Sequence, residues 1–247
     1  MGASFINKKI LGLCIATILL TCTMNNSING MEKEPVPKPV SFEKNTAENK
    51  IDIRKYIYIF RHGETNFNVE KRMSGHFEDL PIFLTENGSK QIKHLAKTIK
   101  NAGIEAIFTS DLTRAQDTAF IINEELNVPI FLHEELRGLS VGKYEGISHK
   151  EFLEKEEVIE AFKNYDKPTP GGESVNQFVK RLMSFITKII IETPYKNIAI
   201  VAHGAVVSNL KAAISGNSYT DINTCVLSYE NDTFKVVKYG VYTDFIV

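Results

Sequence analysis

A bulky run, Tyr56-Ile57-Tyr58-Ile59-Phe60, leads directly into Arg61-His62-Gly63. Such a run of β-branched and aromatic residues, without polar alternation, predicts a strand that is buried on both faces, as in a parallel sheet. In open α/β sheets the ligand crevice lies at the carboxyl ends of the strands. Arg61 and His62 therefore stand where a functional site is expected.

Helix and strand patterns alternate along the chain that follows. Apolar residues at helical spacing predict helices over 85–102, 112–126, 173–191 and 205–215, and short apolar runs predict strands over 104–109, 130–132 and 198–202. A hairpin of 224–230 and 233–239, turning at Asn231-Asp232, is expected to close one edge of the sheet. The pattern predicts an α/β fold, a three-layer α/β/α sandwich with a mostly parallel sheet.

The first 24 residues are typical of an export signal. Lys8 and Lys9 precede an apolar run, 10–20, that has the length of a secretory signal and is too short to span a bilayer. Leu19-Leu20-Thr21-Cys22 is similar to the lipobox of bacterial lipoproteins. Three alternatives stay open: membrane attachment through a lipid on Cys22, a cleaved signal, and an uncleaved short anchor. Each predicts a domain exported from the cytoplasm, either periplasmic or held at the membrane as a lipoprotein.

Residues 25–53 are polar and carry prolines at alternate positions, a composition that cannot bury enough apolar surface to fold. We expect a flexible tether here and the folded domain over 54–247. Within that domain, 147–170 combines many Glu and Lys residues with two prolines. This composition indicates a surface insertion that could cover a site.

The overall composition excludes several classes of protein. The 247 residues are 43% hydrophobic and 24% charged, as in ordinary globular proteins. Because 29 Lys and Arg stand against 30 Asp and Glu, no general basic field favours a nucleic-acid partner. Three cysteines form no disulfide framework, and Cys225 is expected to be a buried thiol. The six histidines show no metal-binding motif, so neither a metal nor another cofactor is predicted.

A second strand end repeats the features of the first. The predicted strand 198–202 ends at His203-Gly204, and Arg114 begins the helix after the predicted strand 104–109. If the strands are neighbours, two arginines and two histidines converge beside a helix N-terminus. Guanidinium groups match phosphate oxygens, helix N-termini favour anions, and a neutral imidazole can attack phosphorus. The combination predicts a site for a phosphoryl group.

A series of spaced motifs extends over roughly residues 56–240. The motifs are Arg61-His62-Gly63-Glu64-Thr65-x-x-Asn68, Arg72, Gly75, Leu84-Thr85-x-x-Gly88 with Gln91, Ser110-Asp111-Leu112-x-Arg114-Ala115-x-x-Thr118-Ala119, Gly142-x-x-Glu145-Gly146, Pro170-Gly171-Gly172-Glu173-Ser174 and Ala202-His203-Gly204. This series resembles the histidine phosphatase superfamily, in its phosphoglycerate-mutase-like branch. The resemblance implies that branch's fold and a phosphohistidine mechanism without a metal.

The resemblance also implies a role for each matching residue. His62 would be the nucleophile, while Arg61, Arg114 and His203 would bind the phosphoryl oxygens and stabilise the charge that develops on them. The residues expected to bind or frame a small phosphorylated substrate are Asn68, Thr65, Gly204 and Glu173.

One departure from the family pattern concerns the proton donor. Members commonly carry an acid where this chain has Gly138, within Leu136-Arg137-Gly138. Glu135 is the predicted replacement, with Glu134 and the weaker candidate Glu145 as alternatives.

The segment between Gly146 and Pro170 is shorter than the insertion that glycolytic mutases of this branch carry. Together with the expected export, this favours a metal-independent phosphomonoesterase, a phosphoric monoester hydrolase of the histidine acid phosphatase type. Two alternatives stay open: a phosphoglycerate mutase, and a phosphate-binding pseudo-enzyme that lacks its general acid.

Overall fold

The computed structural model describes residues 54–215, 224–230 and 233–240. Its elements in chain order are β1 (Lys55–Arg61), α1 (Asn66–Val69), α2 (Glu86–Ile99), β2 (Ala106–Ser110), α3 (Thr113–Leu126), β3 (Ile130–His133), α4 (His149–Glu154), α5 (Glu156–Lys163), α6 (Val175–Glu192), β4 (Asn197–Ala202), α7 (Gly204–Ser215), β5 (Thr224–Glu230) and β6 (Thr233–Gly240). The predicted export signal, the tether and the hairpin turn at Asn231-Asp232 lie outside the described residues.

The six strands form one sheet in the order β3-β2-β4-β1-β5-β6. β1 to β4 run parallel to one another, whereas β5 is antiparallel to both β1 and β6. The predicted mostly parallel sheet with an edge hairpin is therefore confirmed. β1 and β4 are direct neighbours, with Arg61 paired to Ala202, so the two strand ends followed by histidines lie side by side.

Helices cover both faces of the sheet. On one face α6 and α7 pack against Ile57 and Ile59, and on the other α2 and α3 pack against Phe60. Successive residues of β1 thus enter opposite cores, which explains its run of bulky residues without polar alternation. The predicted three-layer α/β/α sandwich is confirmed. The thiol of Cys225 is buried in the α6 and α7 core, as expected.

Local sequence sets the helix bounds. Thr85 caps α2 by accepting a hydrogen bond from the Gly88 amide, and Ser174 forms a capping box with Gln177 at the start of α6. The 147–170 segment forms two short helices, because Lys155 between α4 and α5 has an extended backbone. Among the described residues, no helix combines the length and apolar character needed to cross a membrane.

Candidate active site

A cavity of about 130 Å³ opens where β1 and β4 end. The end of β1, residues 72–75, the segment around Gly138 and the start of α7 form its wall. Arg61, His62, Arg114 and His203, which the sequence predicts at one site, all line this cavity. The parallel pairing of β1 with β4 produces this convergence, because it places both strand ends at the same edge of the sheet.

His62 is held as a neutral imidazole with one nitrogen anchored. Its Nδ1 donates to the carbonyl oxygen of Gly63 at 2.8 Å, which leaves the lone pair of Nε2 for attack. Burial, with the positive charges of Arg61 and Arg114, holds the pKa of His62 well below its usual 6.5. The ring is therefore uncharged at physiological pH, which is the state that a nucleophile requires.

His203 lies next to His62, with ring centroids 5.3 Å apart and the planes inclined by 65°. Its Nε2 is 3.0 Å from the hydroxyl oxygen of Ser110, the last residue of β2. Burial, with the nearby charge of Arg114, holds the pKa of His203 well below 6.5. The parallel pairing of β2 with β4 brings Ser110 to this ring, a contact that was not predicted for Ser110.

Two arginines, Arg61 and Arg114, add fixed positive charge to the cavity. Arg114 is 1% exposed, and burial lowers its pKa to about 10 despite the nearby carboxylates of Glu78 and Glu145, so it stays protonated. Its Nη2 donates to the Gly75 carbonyl at 2.7 Å, and its Nη1 pairs with Glu78 at 3.3 Å. The Nε atoms of Arg61 and Arg114 are buried and have no hydrogen-bond partner among the described residues.

This arrangement favours an anion. Taking a guanidinium N–H out of water without a partner costs free energy, commonly about 1–3 kcal/mol for a buried polar group. An anion that accepts from both arginines recovers that cost and offsets their mutual repulsion. The cavity therefore has the charge and the donors to bind a phosphoryl group.

The loop that carries His62 is fixed from two sides. The Gly63 amide donates to Thr118 Oγ1 of α3 at 3.1 Å. Thr65 caps α1 and exchanges two hydrogen bonds with Asn68, whose Oδ1 accepts from the Thr65 amide. Asn68 lines the cavity, and its amide nitrogen is the group that can donate to a phosphate oxygen.

Two residues that were expected to bind or frame the substrate, Thr65 and Glu173, do not line the cavity. Thr65 is fully buried in its capping box, and its hydroxyl accepts from the Asn68 amide. The carboxylate of Glu173 accepts from Arg181 Nη2 at 2.6 Å and from the Ser140 amide at 3.0 Å. Both side chains brace backbone segments, which corrects their expected placement. Gly204, the remaining expected residue, does line the cavity.

Glu135 is not on the cavity, contrary to expectation. Its side chain is 43% exposed, and its carboxylate faces His133 at 3.8 Å. The cause is the turn 134–136, which Arg181 holds by donating from Nη1 to the Glu135 carbonyl at 2.7 Å. The alternative Glu134 is exposed.

At Gly138 a Cβ atom would lie 3.3 Å from His203 Cβ, so position 138 faces the site but supplies no carboxylate.

The segment 147–170, which was expected to cover a site, contributes His149 to the cavity lining, and residues 72–75 line the cavity as well. Leu139 and Val141 also line it and were not anticipated. They reach the site because Arg181 donates hydrogen bonds to the carbonyl oxygens of Arg137 and Gly138, which precede them. These contacts join residues more than forty positions apart, so no local pattern reveals them.

In residues 54–215, 224–230 and 233–240, no group of three or more His, Cys, Asp or Glu side chains is placed to hold a metal ion.

Comparison with known proteins agrees with this geometry. The sequence profile of the histidine phosphatase superfamily, branch 1, matches residues 57–242. The chain belongs to this superfamily. It is 30% identical over 193 residues to the uncharacterized phosphatase PhoE of Bacillus subtilis, covering 75% of this chain and 94% of that protein. It is 34% identical over 166 residues to the probable phosphoglycerate mutase GpmB of Cronobacter sakazakii, covering 65% and 74%.

A solved structure gives the same fold. Bacillus stearothermophilus YhfR matches with a TM-score of 0.66 at 29% identity, covering 74% of this chain and 95% of that one. The histidine phosphatase relatives of this chain thus include both phosphatases and mutases.

Inorganic phosphate is expected to stabilise this member of the superfamily. At 10 mM it should raise the Tm by about 5 °C, because it binds the folded cavity and not the unfolded chain. In Arg61→Met the rise should fall below about 1 °C, since one of the two orphaned donors is gone. Lys90→Met, at an exposed site on α2, is the control and should keep the full shift. A wild-type Tm that does not respond to phosphate would contradict the assignment of an anion site.

Proposed function

We propose that this protein is a metal-independent phosphomonoesterase that works through a phosphohistidine on His62. One observation carries the proposal: a neutral, anchored imidazole and two arginines whose buried Nε atoms are unpaired among the described residues share one small cavity. A neutral nucleophile beside fixed positive charge suits attack on a phosphate ester, because the arginines hold the oxygens on which negative charge gathers.

The reaction has two displacements. The lone pair of His62 Nε2 forms an N–P bond, and the P–O bond to the alcohol breaks with its electron pair going to the leaving oxygen. Water then attacks phosphorus, the N–P bond breaks, and its electrons return to His62. Arg61, Arg114 and His203 hold the phosphoryl oxygens through both steps, and Asn68 adds a donor.

A mutase is the second candidate, since GpmB-type relatives are similar over two thirds of this chain. The short 147–170 segment and the small cavity favour hydrolysis.

Incubation of the purified chain with 3-phosphoglycerate in EDTA distinguishes a phosphatase from a mutase. We expect release of inorganic phosphate from 3-phosphoglycerate or p-nitrophenyl phosphate, whereas formation of 2-phosphoglycerate without phosphate release would establish a mutase. Binding of phosphate with no turnover of any ester would favour the pseudo-enzyme.

We propose further that the protein acts outside the cytoplasm. The support is the sequence of residues 1–24, with its basic start, apolar run and Cys22. Fractionation of the producing cells and mass spectrometry of the N-terminus test this directly. A lipid-modified Cys22 supports membrane attachment and a processed N-terminus supports a cleaved signal, while an unprocessed chain in the cytoplasm would contradict export.

A further inference from the structure

An alkyl leaving group departs from phosphorus as a poor alkoxide unless an acid protonates its oxygen. Within the part of the chain that the structure describes, no carboxylate side chain lines the cavity. Three histidines do: His62, His149 and His203. His62 is the proposed nucleophile, and His203 is buried against Ser110 and serves the phosphoryl oxygens.

Two carboxylates whose charges act on Arg114, those of Glu78 and Glu145, are already hydrogen-bonded within the protein. Glu145 Oε1 accepts from the Ser140 hydroxyl at 2.9 Å and from the Val141 amide at 3.2 Å. Glu78 accepts from the Thr113 hydroxyl at 2.6 Å and pairs with Arg114. Each holds a wall segment in place, and neither carboxylate lines the cavity.

His76 approaches the same region from outside the wall. Its Nε2 is 2.8 Å from the Gly138 carbonyl oxygen and 3.9 Å from Glu173. This ring braces the Gly138 segment beside Arg181, whose Nη2 donates to the same carbonyl at 3.1 Å. It is therefore a support for the wall and not a group that faces the substrate.

His149, by contrast, lines the cavity. It is the first residue of α4, and its amide donates to the Lys71 carbonyl at 2.7 Å. Met73 pairs with Ile147 by a 2.8 Å backbone hydrogen bond, so 71–73 and 147–149 form a short ribbon. The ribbon fixes the backbone under His149. The residue is half-buried, so part of it contacts solvent.

We propose that His149 is the proton donor to the leaving alcohol, an inference that rests on the proposed phosphohistidine mechanism. As His62 Nε2 attacks, the P–O bond breaks and the leaving oxygen takes a proton from the imidazolium of His149, which becomes neutral. In the second displacement neutral His149 removes a proton from the attacking water. Orthophosphate is released, the His62 lone pair is restored, and His149 is again protonated, so every proton is accounted for.

The test compares good and poor leaving groups. In His149→Gln, kcat/KM for an alkyl phosphate should fall about 10²-fold or more, because acid catalysis commonly contributes 10²–10⁴-fold. For p-nitrophenyl phosphate the loss should stay below about 3-fold, since p-nitrophenolate leaves without protonation. His94→Gln, at an exposed histidine on α2, should match the wild type with both substrates.

Equal losses on both substrates, or no loss on the alkyl ester, would overturn the assignment. A loss selective for the alkyl ester in His76→Gln or Glu135→Gln, with none in His149→Gln, would also overturn it. A retained phosphate-induced Tm shift in His149→Gln shows that the cavity still folds. Full turnover by His62→Ala would instead refute the proposed function itself, so the two failures are distinguishable.

Discussion

Replacing His62 with alanine is expected to lower kcat for p-nitrophenyl phosphate by at least about 10⁴-fold. The substitution removes the atom that bonds to phosphorus, and the neighbouring His203 does not replace it because its Nε2 is in contact with Ser110. Steady-state kinetics in the presence of EDTA measure the effect.

The control for this prediction is the phosphate response of the same variant. Because Arg61 and Arg114 remain, His62→Ala should still gain Tm in phosphate, which separates a lost nucleophile from a lost fold. His94→Ala should keep wild-type turnover. More than about a hundredth of the wild-type kcat in His62→Ala would contradict the nucleophilic role.

Gly88→Ala is expected to destabilise the domain by about 3 kcal/mol, which corresponds to a fall in Tm of about 10 °C. A Cβ atom at Gly88 would stand 2.1 Å from the Glu64 carbonyl oxygen and 2.8 Å from the Glu64 amide nitrogen. Neither backbone group can rotate away, so α2 and the loop after His62 must separate. Thermal melts and kcat/KM should fall together, because this loop positions the nucleophile.

Ser89→Ala, one residue further along α2, is the matched control. It keeps the backbone bond from the Ser89 amide to the Thr85 carbonyl and should change Tm by no more than about 2 °C. If Gly88→Ala had the Tm and the kcat/KM of the wild type, the close packing of α2 on the loop after His62 would not matter for the site.

Local sequence predicted most of the fold. The run from Tyr56 to Phe60 is a doubly buried strand because Ile57 and Ile59 enter one core and Phe60 the other. Strand ends followed by His62 and His203 could be assigned to one edge because parallel neighbours share it. The errors at element ends are small. Helix α2, for example, stops at Ile99 rather than residue 102, since Lys100 already forms its cap.

The site was less predictable where distant contacts decide it. Arg181 on α6 reaches back to the carbonyls of Glu135, Arg137 and Gly138, and that clamp turns the Glu135 side chain outward. A bidentate pair between Arg137 and Asp111 fixes the same segment to the loop after β2. His149 enters the cavity through the ribbon with 71–73, which no local motif marks.

The most direct test of the account is to trap the covalent intermediate. Wild-type enzyme mixed with a ³²P-labelled phosphomonoester in EDTA, then quenched in alkaline denaturant, should carry label that is stable to alkali, labile to acid and confined to the peptide containing His62. Label on a serine or another residue, or complete product formation under single-turnover conditions with no labelled protein, would contradict a phosphohistidine on His62.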